Sequence, residues 1–66
     1  MATLGEQVRA RRRELHLGQD EVADLAGVSP TLVRSIEHDK PTLRLDKVRA
    51  VLNVLGLEFT ARIKSL

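Results

Sequence analysis

The chain contains no cysteine, tryptophan or tyrosine, and among its 66 residues there are two prolines, four glycines and a single phenylalanine. Without cysteine there is neither a disulfide framework nor thiolate chemistry, which fits a reducing, cytoplasmic setting. One aromatic, Phe59, gives no stacking platform of the kind single-strand RNA and DNA readers use. Apolar runs last only a few residues, far short of the ~20 that a membrane helix needs, and no signal-peptide pattern is visible. His16 and His38 are the only histidines, so neither a metal site nor a nucleophilic triad can be assembled. No glycine-rich phosphate loop follows a strand, and the chain is too short for a convincing catalytic cleft. These absences argue against an enzyme and against any cofactor. At this length the chain is one domain with marginal burial, whose stability gains from association.

What is present is charge and helical periodicity. Eleven Lys and Arg stand against nine Asp and Glu, for a net charge of +2. Acidic residues gather at Asp20, Glu21 and Asp24. Arg9, Arg11, Arg12, Arg13, Arg34, Lys40 and Arg44 lie elsewhere.

Between Gln19 and Glu37 the spacing is that of a helix-turn-helix. Val22, Ala23, Leu25 and Ala26 give one short helix, about 19 to 26, an apolar face on which Ala23 is small enough for a close crossing. Gly27 can take the left-handed conformation that ends it. Ser29 can cap a second helix, about 30 to 37, with Pro30 at its first position and Val33 and Ile36 facing inward. An αα-corner shares the glycine and the periodicity, whereas the basic residues favour DNA.

Around this unit, Thr3 and Glu6 have capping-box spacing, which predicts a first helix from Leu4 to about Leu15. Its stripe is Leu4, Val8, Arg12 and Leu15. Leu17 and Gly18 break the chain. Residues 38–42 form a polar turn around Pro41, and a fourth helix resumes near Leu45 with an inward stripe of Leu45, Val48, Leu52 and Leu55 before Gly56 ends it. Arg12 follows Val8 by four residues and Glu37 follows Val33 by four, so two opposite charges sit on otherwise inward faces and are expected to meet.

After Gly56 the period changes to two. Leu57, Phe59, Ala61 and Ile63 alternate with polar residues and predict a β-strand, with a frayed tail or a last helical turn as the alternative. A lone strand has no ladder partner in its own chain, and the same strand of a second chain is the natural one. The expected homodimer interface comprises Val54, Leu57, Phe59, Ala61 and Ile63. The expected division is a DNA-binding domain over 1–56 and a dimerisation strand over 57–66.

The run from Leu4 to Gly56 resembles the Cro/CI (XRE-type) repressor family, through its basic first helix and the landmarks Gln19, Ala23, Gly27 to Ser29, Ile36 and Glu37. The resemblance implies an all-α, lambda-repressor-like fold of four helices, here with the terminal strand where many members have a fifth helix. The loop from Lys40 to Asp46 and that strand further resemble the HipB-like antitoxins, which regulate operons encoding HipA-like kinase toxins. A dimeric repressor of palindromic double-stranded DNA, partnered by such a toxin or toxin complex, is what the likeness implies. With Leu66 as the last residue, the expectation is that the chain holds the toxin at DNA while another component inhibits it. A phage-type or stand-alone XRE regulator, or a protein-interaction adaptor with residual DNA binding, is the alternative.

By the same resemblance, Gln19 touches a backbone phosphate, and Ser29, Pro30, Thr31, Arg34 and Ser35 face the major groove. Lys40, Thr42 and Arg44 lie where family members meet the phosphate backbone, and Arg12 and Glu37 form a bridge between the first helix and the recognition helix. Side-chain chemistry singles out Arg34, which can give two parallel donors to guanine, while Thr31 offers a hydroxyl or a methyl to thymine. Ser35 is short and Pro30 purely apolar, so base readout concentrates on Arg34. Arg9, Arg11 and Arg13 read as a solvated face of the first helix. Gly18 replaces the usual Ser or Thr cap, and Asp39 the usual turn glycine.

Overall fold

Thr3 and Glu6 start the first helix by satisfying each other's backbone. In the computed structural model, which describes residues 2–60, the Glu6 amide donates to Thr3 Oγ1 at 3.1 Å and the Thr3 amide to Glu6 Oε1 at 3.0 Å. This reciprocal box removes two unsatisfied donors at the helix end. Helix α1 (Leu4–Glu14) stops slightly before the periodicity predicts. His16 adopts the left-handed region at φ 57°, and the Leu17 amide folds back to the Arg12 carbonyl at 3.1 Å. The break therefore begins at His16, before Leu17 and Gly18. Histidine enters that region more readily than most residues, so no glycine is required.

Gly18 then precedes α2 (Gln19–Ala26), and its amide donates to Glu21 Oε1 at 2.8 Å. Helix α3 (Pro30–Glu37) and helix α4 (Leu45–Val54) complete the order. The last helix ends ahead of Gly56, which takes φ 70°, while the Leu57 amide returns to the Leu52 carbonyl at 2.8 Å. That backward bond joins the Leu55 amide, 3.0 Å away, on the same carbonyl and closes the helix end.

Helix α3 packs against both α1 and α2, and α2 also packs on α4. The core is built from Val8, Val22, Ala23, Val33, Ile36, Val48, Val51, Leu52 and Leu55, all buried. Two leucines expected inside are not there: Leu25 is 65% and Leu45 58% exposed. The buried arc of α2 runs through Val22, Ala23 and Ala26, and Leu25 projects beyond its edge. On α4 the arc centres on Val48, Leu55, Val51 and Leu52, and Leu45 stands a turn before it at the rim. Leu4 and Leu15 likewise end the α1 stripe at the surface, leaving Val8 as its buried residue.

The crossing of α1 and α3 is closer than side chains alone allow. A Cβ placed on Gly5 would lie 2.6 Å from both the Ile36 and Glu37 carbonyl oxygens. Glycine is needed here for proximity, within an otherwise ordinary helical turn. Asp39, itself left-handed at φ 56°, accepts from the Gly5 amide at 2.8 Å and from Thr3 Oγ1 at 2.6 Å. The first turn of α1 is thereby fastened to the chain leaving α3.

Leu57 to Thr60 form neither helix nor strand, and no strand occurs among the described residues. Ala61 and Ile63 of the expected strand lie outside the described residues. Among those described, no helix is long and apolar enough to cross a membrane.

Gly5→Ala is expected to destabilise the domain by ~1–3 kcal/mol, because overpacking against backbone oxygens outweighs the ~1 kcal/mol by which alanine favours a helix. Urea denaturation measures this, and an unchanged or higher midpoint would contradict the close crossing.

Candidate nucleic-acid interface

The turn into α3 is fixed before any side chain is aimed. Gly27 closes α2 at φ 70°, and the Val28 amide bonds back to the Ala23 carbonyl at 3.0 Å. Ser29 Oγ then accepts from the Leu32 amide at 3.1 Å, and Pro30 occupies the first helical position, where a missing N–H costs nothing. Along α3, Val33, Ile36 and Glu37 are buried, whereas Thr31 and Arg34 are exposed and Pro30 and Ser35 half-buried. The outward surface therefore contains Thr31 and Arg34 one turn apart. An Arg34 Nη2 hydrogen bond to Thr31 Oγ1, at 3.4 Å, keeps the guanidinium over that surface.

The other residues expected at DNA flank this helix. Ser29 is exposed at its start, and Lys40 and Thr42 are exposed in the segment beyond its end. Arg44 precedes α4 and pairs with Asp46 at 3.1 Å, with both side chains largely in water. Such an exposed pair contributes little stability and leaves the arginine free to exchange partners. Gln19 is half-buried, and its Nε2 donates to Glu37 Oε1 at 3.2 Å. Among the described residues its side-chain amide makes that one hydrogen bond.

Glu37 is the charged residue at the centre of the support. Arg12 Nε donates to Glu37 Oε2 at 2.7 Å and Nη2 to Oε1 at 3.0 Å, a two-pronged pair, while Nη1 reaches the Leu17 carbonyl at 2.9 Å. The two side chains are only 12% and 3% exposed. Burial pushes the Glu37 carboxyl up, but the hydrogen bonds from Arg12 and Gln19, with the charges of Arg12 and Arg9, outweigh it and hold the group below its ordinary value. The hydrogen bond to Glu37 raises the Arg12 guanidinium in turn. Three helices thus meet at one carboxylate.

Two placements differ from the sequence reading. Arg11, read as solvated, is half-buried and donates through Nε to the Leu55 carbonyl at 2.9 Å. No periodicity signals this, because the acceptor is a backbone oxygen at the residue that caps α4. In the expected dimer surface, Val54 and Leu57 are half-buried against their own core, and Phe59 remains 41% exposed. Among the described residues no group of His, Asp and Glu could hold a metal ion.

Arg12→Ala is expected to cost ~3–5 kcal/mol by stranding the Glu37 carboxylate, a large part of the ~3–10 kcal/mol typical of a domain this size. Thermal unfolding measures it, and an unaltered melting temperature would refute the assignment. Hydrogen bonds from Thr3 and the Gly5 amide hold the Asp39 carboxyl down as well. With both carboxyls depressed in the fold, their contribution is complete above the ordinary carboxylate value and is lost as pH falls through the folded value. Denaturation midpoints should therefore fall on acidification below about pH 4, and Asp39→Asn should flatten that decline. An unchanged slope in the variant would remove Asp39 from the linkage.

A helix-turn-helix domain model matches residues 3–62. An uncharacterized HTH-type transcriptional regulator, y4mF, of Sinorhizobium fredii is 44% identical over 55 residues, covering 83% of this chain and 72% of that protein. The immunity repressor protein of Bacillus phage phi105 is 32% identical over 59 residues, covering 89% of this chain but only 41% of the repressor. With the turn, the outward face of α3 and the buried brace in place, the chain belongs to the helix-turn-helix domain family, in its XRE-type branch.

Proposed function

We propose that the chain is a sequence-specific transcriptional repressor that binds double-stranded DNA as a homodimer, with α3 as its recognition helix. The observation that carries the reading is the division of α3: its inner face is buried and braced, and its outer face presents Arg34 beside Thr31, both exposed among the described residues. A guanidinium there suits the O6 and N7 edge of guanine. Ser29, Pro30 and Ser35 complete the base-facing surface, while Gln19, Lys40, Thr42 and Arg44 hold phosphates and set register. The names of the two relatives, a transcriptional regulator and an immunity repressor, support the same activity.

Pairing of residues 57–63 with their copies across a two-fold axis supplies the dimer. Its support is the alternation of Leu57, Phe59, Ala61 and Ile63, together with the exposure of Phe59. The resemblance of the Lys40–Asp46 loop and this segment to HipB-like proteins favours an antitoxin that represses its own operon, with a HipA-like kinase toxin as partner. The likeness to a phage immunity repressor favours instead a regulator that works alone. A kinase toxin gene beside this one, and co-purification of its product, separates the two.

Binding to a selected palindrome should weaken by ~1–3 kcal/mol on Arg34→Ala, with discrimination relaxed at one base pair. Equal losses on palindrome and random duplex would reduce Arg34 to a phosphate contact. If the dimer covers about 6 to 10 phosphates, affinity should fall by ~10³ to 10⁵ between 50 and 200 mM salt. Sedimentation as a monomer at micromolar concentration, with and without DNA, would exclude the dimer.

A further inference from the structure

Neighbouring arginines on α1 reach in different directions. Arg12 forks onto Glu37 at the end of α3, and Arg11 donates through Nε to the Leu55 carbonyl at the end of α4, 2.9 Å away. That carbonyl immediately precedes Gly56, whose φ of 70° turns the chain out of the helix, and Arg11 Nη2 would lie 3.7 Å from a Cβ on Gly56. Glu14 Oε2 lies 3.4 Å from Nη1 of the same guanidinium. The chain's exit is then held by three things: the Leu57 amide on the Leu52 carbonyl, Leu57 against the core, and Arg11.

We infer that Arg11 is a positioning residue that fixes the separation and rotation of the two recognition helices in the dimer, and so the operator spacing the protein accepts. The inference rests on the dimeric reading above. Helix α1 is a rigid rod with the recognition helix clamped to one arginine and the exit of the dimerising segment to the next. Orientation at the exit reaches α3 by two routes, through α4 packed on α2 and through Arg11 and α1, and the second is the one that grips the residue next to Gly56. Half-sites about one helical turn, ~10 base pairs, apart make this consequential, because each added base pair rotates one half-site by about 35° relative to the other. A dimer with a fixed exit cannot follow that rotation, whereas a dimer with a loosened exit can.

The test uses the full chain and the palindrome it selects from a random duplex pool, with the half-site separation then changed by one base pair either way. Wild type is expected to prefer the selected spacing by about tenfold or more, a discrimination comparable to a mismatched base pair. Arg11→Gln and Arg11→Lys should remain dimeric in sedimentation and bind the selected spacing, with the preference reduced to about threefold or less in Arg11→Gln and partly kept in Arg11→Lys, which retains a donor. Arg13→Gln, exposed on the same helix, removes equal charge and should leave the preference intact. If Arg11→Gln keeps the wild-type preference, or Arg13→Gln loses it equally, the inference is overturned while the dimeric reading stands. If both Arg11 variants fail to fold, Arg11 serves stability alone and the inference also fails. A wild-type chain that selects single, unpaired half-sites overturns the dimeric reading, and the inference with it.

Discussion

A carboxylate buried on the inner face of a helix is tolerable only when every oxygen is engaged, and Glu37 sets this condition for the whole domain. Arg12 and Gln19 meet it from α1 and from the first residue of α2. A less complete set of donors would leave desolvation uncompensated, and a hydrophobic isostere would stabilise the fold as well or better. What the ion pair adds is direction: its two-pronged geometry admits one approach of α1 to α3, whereas apolar contacts among Val8, Val33 and Ile36 would tolerate sliding.

The same arrangement links folding to the outward surface. Gln19 belongs to the brace through one amide hydrogen, so the start of α2 is tied directly to the position of α3. Asp39 performs a similar service at the other end, joining the chain that leaves α3 to Thr3 and Gly5. Helix α3 is therefore tied to the rest of the domain by side-chain hydrogen bonds at Glu37 and again at Asp39.

Much of this was legible in the residues. Gly27, Ser29 and Pro30 place the turn because each has a specific backbone use, and the four-residue offsets of Arg12 and Glu37 from Val8 and Val33 put opposite charges on facing surfaces. Leu25 and Leu45 were misread because periodicity identifies a face but not the width of the neighbour that covers it. Arg11, Gly5 and the left-handed His16 escaped for another reason: their partners are backbone atoms, which leave no side-chain pattern. The strand read from the alternation after Gly56 is not formed by Leu57 to Thr60, and its remaining residues lie outside those described.

The backbone contact at Gly5 has an evolutionary consequence. Because α1 meets α3 through carbonyl oxygens that every amino acid possesses, the angle between the helices owes little to which side chains α3 carries on its far side. Thr31 and Arg34 can be exchanged for other residues without repacking anything beneath them. The domain thus separates the frame that holds α3 from the residues α3 presents outward, and a lineage can change the second while inheriting the first.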